Sequence, residues 1–517
     1  MKYGILISCT IWCVATLVFP ARSAAQEAFD VFLIREVVPF GDSGFVAVFL
    51  DHPERPRRMR LDFFTADKSA SYQRVVSLER QGLAVKYEGA FAWNGTLQVL
   101  TSLYYPGPKR NHLIYSQYAI PDLEDIHSAV VDEAYTPELY RIPFGYSLSP
   151  DSSKIMCYSW SYSLPKDPAR VRITVLDTAL NKLWQQQYIL PYNNESLYIY
   201  NSRLTDDGRA FLLCENYTGK VGPSIDEQKI DYFVLGAEQG SENMIIYDLN
   251  PAGKTLHGLH IDPVPGNAMA GAAFYREPGK SLHLGMYLFR IPPAGGKMEQ
   301  YFLPIDKERY GEAYAFSGTD GMGNANRHRF EGYVVQQVQQ LSDSSFLVLA
   351  EQEYYSPMEG VLEHNDILAV KVRPEGNRIQ WMRRIPKRQT EQFNQNVFSP
   401  FSYKLIQQGA RWTFFYNDSD YNFQGAAGPQ NLDEYRGESG VVMAAELRSD
   451  GQLRWYNLSR LLRSKGVAKL WTGHCWDLGT GEVLFFGEGP SPISGKNFLV
   501  GFTWDEIRSQ PVIQWKK

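Results

Sequence analysis

The sequence has little cysteine, almost no helical periodicity and, beyond its first twenty residues, no long apolar run. Five cysteines in 517 residues are too few for the disulfide framework of a small secreted scaffold. Cys157 ("KIMCYSW") and Cys214 ("AFLLCEN") sit in strand-like runs and read as buried free thiols, a disulfide between them being the alternative. Charge of one sign is not concentrated either. The 52 bases and 57 acids are interspersed, which argues against a nucleic-acid partner. No nucleophile elbow, HExxH pair or Ser/His/Asp cue appears, and the sialidase-type Asp box is not matched by "SPDSSKIMCYSW". No cofactor is expected.

The N-terminus carries the one segment with a targeting pattern. Lys2, an apolar run over 5–19 and then "PARSAAQ" follow the plan of a secretory signal peptide. Ser23 and Ala25 suit the small-residue positions, so cleavage is expected before Gln26, giving a signal peptide at 1–25 and one domain at 26–517. The run is too short for a membrane anchor and none follows, so no transmembrane segment is expected in the mature chain. An exported protein is expected, periplasmic in preference to cell-surface or extracellular.

What fills the rest is short runs of Val, Ile, Leu, Phe, Tyr and Trp separated by turn chemistry. One set of turns joins two apolar strands: "PFGDSGFVAVFL", "AFAWNGTLQVL", "LSPDSSKIMCY", "LTDDGRAFLLC", "YREPGKSLHLGMY", "QLSDSSFLVLAEQ" and "DLGTGEVLFFGE". A second set, "TALNK", "PAGK", "PEGN" and "SDGQ", leads into strands that often carry tryptophan: Trp184, Trp381, Trp455 and Trp515. Each unit reads strand, tight turn, strand, loop, strand, tight turn, strand, with units starting near 32, 88, 143, 198, 268, 333, 400 and 468. Four-stranded units repeated radially are propeller blades, here of about 61 residues each. The expected fold is all-β, a single β-propeller of eight four-stranded antiparallel blades. Seven is the alternative, because the unit near 268 is irregular. The recurring tryptophans are expected to cover gaps between blades.

The runs "ILAVKVRPEGNRIQWMRRIPKRQ", "LDTALNKLWQQQYILPY" and "FFYNDSDYN" resemble segments of uncharacterised, large secreted β-propeller-like proteins of Bacteroidetes. The resemblance spans most of 27–517 and implies the propeller fold; it supplies no catalytic residues.

In a meandering blade the tight turns share one face, so the long segments (161–170, 217–242, 306–332, 354–366 and 418–438) elaborate the other. Binding concentrates on such loops. The second strands enter that face with rings and carboxylates: Asp51, Tyr104, Tyr105, Trp160, Tyr162, Glu215, Asn216, Tyr217, Tyr287, Tyr354, Tyr355, Asn417 and Tyr421. Rigid rings beside hydrogen-bonding groups suit a protein, peptide or glycan partner. Tyr104, Tyr105, Trp160, Tyr162, Tyr354, Tyr355 and Tyr421 are the expected ligand contacts, and the expected function is non-catalytic binding. A carbohydrate-active enzyme is the alternative, with Glu351, Glu353, Asp418 and Glu488 as the candidate carboxylates.

Three further motifs carry less. The glycine-rich "TDGMGNANRH" lacks the strand and helix a phosphate loop needs. His260 and Asp262 can share a strand face, but two ligands make no zinc site. No metal is expected; Asp418, Asp420 and Asn422 are a weak calcium candidate without the closing glutamate of an EF-hand. Arg383, Arg384, Lys387 and Arg388 ("RRIPKRQ") read as a charged outer edge that blocks strand pairing.

Overall fold

The computed structural model describes residues 33–513, apart from 53–55, 68, 136–143, 162–165, 219–228, 279–282, 294–295, 307–329, 331, 357–359, 393–400, 424–431, 433, 438–439, 480 and 490–496. The expected signal peptide, Trp515, Tyr162 and the "TDGMGNANRH" motif therefore lie outside the described residues.

Eight antiparallel sheets follow one another along the chain. Blade 1 is β1 (Leu33–Pro39), β2 (Phe45–Leu50), β3 (Arg58–Phe64) and β4 (Ala70–Ser77). Blade 2 adds a two-residue β5 (Glu79–Arg80) before β6 (Leu83–Trp93), β7 (Thr96–Tyr105), β8 (Arg110–Tyr118) and β9 (Asp125–Tyr135). Blade 3 is β10 (Phe144–Leu148), β11 (Lys154–Ser161), β12 (Pro168–Asp177) and β13 (Lys182–Asn193). Blade 4 is β14 (Leu197–Leu204), β15 (Ala210–Thr218), β16 (Lys229–Ala237) and β17 (Ile245–Asp248). Blade 5 is β18 (Thr255–Val264), β19 (Ala268–Arg276), β20 (Gly285–Ile291) and β21 (Glu299–Pro304). Blade 6 is β22 (Tyr333–Gln340), β23 (Phe346–Ser356), β24 (Val361–Arg373) and β25 (Arg378–Ile385), with β26 (Gln389–Gln392) pairing on β24. Blade 7 is β27 (Lys404–Gln408), β28 (Arg411–Asp418), β29 (Val441–Arg448) and β30 (Leu453–Asn457). A short helix α1 (Ser459–Arg463) leads to blade 8: β31 (Lys469–Asp477), β32 (Glu482–Glu488) and β33 (Asn497–Thr503).

The blades stand radially. First strands approach first strands from blade to blade, as β10 does β14, β14 does β18 and β31 does β1, so they line the axis. Fourth strands lie at the rim, and most of β4 and β9 faces solvent. Second strands are buried on both faces: all six residues of β2 and eight of the nine in β19 are buried. A strand covered on both sides reads as a continuous apolar run rather than an alternating one. One apolar cluster fills each of the eight seams. The last seam packs Ile34, Val37, Phe45 and Phe49 of blade 1 on Leu484, Phe486 and Leu499 of blade 8, which closes the ring. The fold is thus the expected eight-bladed propeller. No helix among the described residues is long and apolar enough to cross a membrane.

The tight turns behave as their residues require. Asn94 and Gly95 between β6 and β7 both take positive φ (50° and 72°), the pairing of a two-residue hairpin turn. Two expectations of phase fail. Blade 5 begins at Thr255, not near 268; its tight turn is "PGN" (265–267), and "REPGKS" falls instead between the end of its second strand at Arg276 and the start of its third at Gly285. The segment "PAGK" accordingly joins blade 4 to blade 5. Tyr287, placed by that misphasing at the end of a second strand, is buried in a third strand at the seam of blades 4 and 5. The second failure is at the C-terminus. After β33 the chain turns through α2 (Trp504–Arg508), and the described part of "EIRSQPVIQWKK" ends in β34 (Val512–Ile513), which pairs with β30 of blade 7 rather than with its own blade.

The tryptophans do face seams. Trp184 is 9% exposed, packs at the seam of blades 3 and 4, and donates from Nε1 to the Gly208 carbonyl at 3.2 Å. Trp381 and Trp455 flank the seam of blades 6 and 7 from opposite sides and stay partly exposed. Gly451 lies against the Trp381 ring, where any Cβ would come within 3.1 Å of it. Trp184→Ala should therefore cost about 3–5 kcal/mol, and Trp381→Ala or Trp455→Ala less. Urea unfolding of the three variants beside the parent checks the order.

Candidate functional site

The elaborated face carries the starts of the first strands and the ends of the second strands. Two polar clusters stand there, at register-equivalent places in blades 6 and 4.

In blade 6, Glu351 sits on β23 opposite Val334 and Ile367, with its side chain turned toward blade 7. The strand-to-blade connection that follows β25 folds back over it. Lys387 Nζ lies 2.6 Å from Glu351 Oε1, and both side chains are sealed from solvent. Lys387 Nζ also donates to the His364 carbonyl at 3.0 Å and to Gln389 Oε1 at 3.1 Å. Ser402 Oγ donates to Glu351 Oε2 at 2.6 Å. His364 stands between two carboxylates, 3.8 Å from Glu351 and 3.7 Å from Glu391. Glu353 accepts from Gln336 Nε2 at 3.0 Å.

The charges set each other's protonation. Burial alone would push Glu351 up, but Lys387 and His364 outweigh it and hold the carboxyl down to about 2. Burial would lower His364; its two carboxylates raise it to about 9. Glu353 is raised by burial and by the charge of Glu351. Ligating atoms of Glu351, Glu353 and His364 lie within 4.8 Å of one another, near enough to consider a divalent ion. The donor set fits such an ion poorly, since Lys387 already occupies Glu351 and a ligating histidine must be neutral.

"RRIPKRQ" is therefore not a solvated edge. Arg384 ion-pairs with Asp366 at 2.6 Å, Arg383 Nε donates to the Gly451 carbonyl at 2.8 Å, and Lys387 is fully buried. The other expected carboxylates are apart from this cluster and engaged. Asp418 is buried at the end of β28 and its Oδ1 accepts from Asn422 Nδ2 at 2.7 Å and from Ser419 N at 2.8 Å. The three residues of the calcium candidate lie at the end of β28 and on the short 3-10 turn Asp420–Phe423 that follows it. Glu488 pairs with Lys469 at 2.8 Å. His260 and Asp262 do share a face, 3.1 Å apart, but Asp262 is bound by Arg203 at 2.9 Å and by the Val338 amide at 2.8 Å. Cys157, Cys214 and Cys475 are free and buried, and the first two face different seams.

In blade 4 the equivalent glutamate, Glu215, has different company. Tyr198 lies directly opposite it on β14 and Tyr232 on β16. Tyr217, two residues along the same strand face, donates its hydroxyl to Glu215 Oε2 at 2.7 Å. Tyr198 meets Trp160 edge-on with ring centres at 6.3 Å, and Tyr217 edge-on at 5.2 Å. Burial, opposed by the Tyr217 hydrogen bond, leaves the Glu215 carboxyl above its ordinary range.

The expected ligand contacts divide accordingly. Tyr355 and Tyr421 stand out at 55% and 71% exposure on neighbouring blades. Trp160 belongs to the blade 4 cluster. Tyr354 is half-buried and accepts from Gln352 at 3.1 Å. Tyr105 packs into the seam of blades 1 and 2 and meets the His112 ring at a tilt, with Tyr104 half-buried beside it. Tyr198 and Lys387 were not expected as site residues. Tyr198 is on a first strand, and Lys387 had no visible partner in its own stretch of sequence.

No family model matches the chain, and no curated protein matches it. Among solved structures, the β-propeller domain of the Trilobed protease from Pyrococcus furiosus is similar at a TM-score of 0.34 and 9% identity, over 84% of this chain and 94% of that one. A Synechocystis apocarotenoid oxygenase mutant is similar at 0.34 and 10%, over 93% and 97%. Pyrococcus horikoshii acylaminoacyl peptidase is similar at 0.33 and 7%, over 82% of this chain and 51% of that one. At these scores the likenesses carry no argument about activity.

Two expectations test the blade 6 cluster. Lys387→Met strands a buried carboxylate and should cost about 3–5 kcal/mol, whereas the double replacement Glu351→Gln with Lys387→Met should recover most of it; urea midpoints decide. The proton on His364 is bound more tightly in the folded chain (about 9) than in the unfolded one (about 6.5). Its stabilisation is therefore complete below pH 6.5 and lost as pH rises through 9. The parent's advantage over His364→Gln should shrink across that window, and a constant difference would refute the protonated state.

Proposed function

We propose that the protein is a non-catalytic binding propeller, exported from the cytoplasm, that takes a protein, peptide or glycan partner on its elaborated face. One observation carries the reading. On that face Glu351 and Asp418 are spent on internal partners, while aromatic rings are presented outward. Glu351 and Asp418 are 1% and 0% exposed; Tyr198, Tyr355 and Tyr421 are 51%, 55% and 71% exposed. Rings with polar tips supply contact area at low entropic cost. The apolar run at 5–19 followed by Ser23 and Ala25 supports export.

The enzymatic reading has one observation in its favour. Glu351 is held ionised while Glu353 beside it is pushed toward the neutral acid, and paired carboxyls with opposed environments are how glycosidases divide the nucleophile and acid roles. Against it, Glu351 is sealed behind Lys387 and Ser402, and a nucleophile must reach its substrate.

Retention in native gels cast with soluble polysaccharides, together with binding to a peptide array, separates the two readings. Tyr355→Ala combined with Tyr421→Ala should weaken retention or array binding about ten-fold or more and leave the melting temperature within a few degrees, since both rings are exposed. Turnover of any of those polysaccharides that vanishes in Glu353→Gln would overturn the non-catalytic reading.

A further inference from the structure

Several buried and half-buried carboxylates in this propeller are matched with cations from neighbouring strands or blades. Asp132 takes Arg172 at 3.1 Å, Asp262 takes Arg203 at 2.9 Å, Asp366 takes Arg384 at 2.6 Å and Glu446 takes Arg508 at 2.9 Å. Glu351 takes Lys387. Glu215 differs from these, as does Glu36, which accepts from the Tyr87 hydroxyl at 2.7 Å and the Ala90 amide at 2.9 Å. Glu215 accepts one hydrogen bond, from Tyr217, and among the described side chains no cation pairs with it.

The equivalence with blade 6 makes the difference at Glu215 informative. Each glutamate lies five residues beyond the pair that closes its tight turn, Leu204 with Ala210 and Gln340 with Phe346. Both first strands carry a bulge next to the glutamate, between Ile199 and Asn201 and between Val335 and Gln337. Blade 6 is followed by a long connection that delivers Lys387. Blade 4 is followed by a short one, whose Asn250 serves the Tyr232 backbone and whose Lys254 turns away onto the rings of Tyr275 and Phe302. Among the described side chains the position therefore has the acid without the base.

Its walls suit what is missing. The negative faces of aromatic rings repel an anion and attract a cation. Here Tyr198 and Tyr200 are 51% and 44% exposed beside the carboxylate, with the Trp160 and Tyr217 rings edge-on to Tyr198. We propose that Glu215, with Trp160, Tyr198, Tyr200 and Tyr217, binds the ammonium group of an organic cation at the mouth of the propeller. The site rests on the reading of the elaborated face as a binding surface and gives it a ligand class. A quaternary headgroup and the amine of a peptide lysine share this chemistry, and the rings and the carboxylate weigh them differently.

Calorimetric titration of the full chain with choline, with Nα-acetyl-lysine amide and with 3,3-dimethylbutanol, the uncharged isostere of choline, tests the site. Both cations should bind and the isostere should not. Choline binding the tighter identifies a quaternary headgroup as the source, and the lysine amide binding the tighter identifies a peptide. Glu215→Gln should weaken the cations about ten-fold or more. Tyr198→Ala, at an exposed ring, should do the same with an unchanged melting temperature, so the test survives if Glu215→Gln folds poorly. Binding of the isostere as tightly as choline, no binding of either cation, or indifference to both substitutions would overturn the proposal. If it fails in this way while polysaccharide or peptide binding still depends on Tyr355 and Tyr421, only the ligand class is wrong and the binding face stands.

Discussion

Everything in this molecule depends on apolar sheet faces packing against the next sheet. A four-stranded blade has two faces and cannot bury either alone; between two neighbours it buries both. The second strands show the consequence most plainly, since "FVAVFL" in β2 and "AMAGAAFY" in β19 carry no charged side chain at all. Eight seams filled in this way leave no free face, provided the last closes on the first. Among the described residues that closure is made by side chains, Phe45 and Phe49 against Leu484 and Phe486. The C-terminal strand does not stitch it; β34 lies on blade 7 instead. The terminal blades are thus held by the same force as the internal ones, roughly 25 cal/mol for each Å² of apolar surface removed from water.

That constraint explains what the sequence disclosed. Continuous apolar runs bounded by Asp, Ser, Asn and Gly turns mark second strands and tight turns directly, and seven of the eight blade starts fall within a few residues of the expected places. Blade 5 slipped because "REPGKS" has the composition of a tight turn while falling between the second and third strands, and because the true turn, "PGN", follows a strand holding His257, His260 and Asp262 that does not read as apolar. The C-terminal strand slipped for another reason. Tryptophan spacing reports a rim strand that covers a seam, and it is silent about which blade that strand joins.

The site was half legible. Carboxylates and rings at the ends of second strands were visible as a class; Glu351 and Glu353 do come together, and Trp160 and Tyr217 each meet Tyr198. Their environments were not visible. Lys387 reads as solvent-facing because lysine is almost never fully buried unless paired, and its partner lies on another strand, reached only when the connection after β25 folds back. A basic run in sequence records charge but not direction.

The middle of each seam accepts little but apolar side chains, so polar groups collect where strands run out, at the axis and on the elaborated face. There the repeat offers the same frame more than once: a bulged first strand, a second strand carrying an acid, and whatever the following connection brings over it. Blade 6 fills the frame from within and becomes a closed, ionised cluster whose rigidity supports the seam with blade 7. Blade 4 has the same acid and a shorter connection, and its rings remain open to solvent. The length of one inter-blade segment therefore decides whether the segment that follows the blade can bring a cation over the acid at this place, as it brings Lys387 over Glu351. In a propeller such a partner is set by the loop and not by the blade, which is why equivalent places in the repeat share one frame and differ in chemistry.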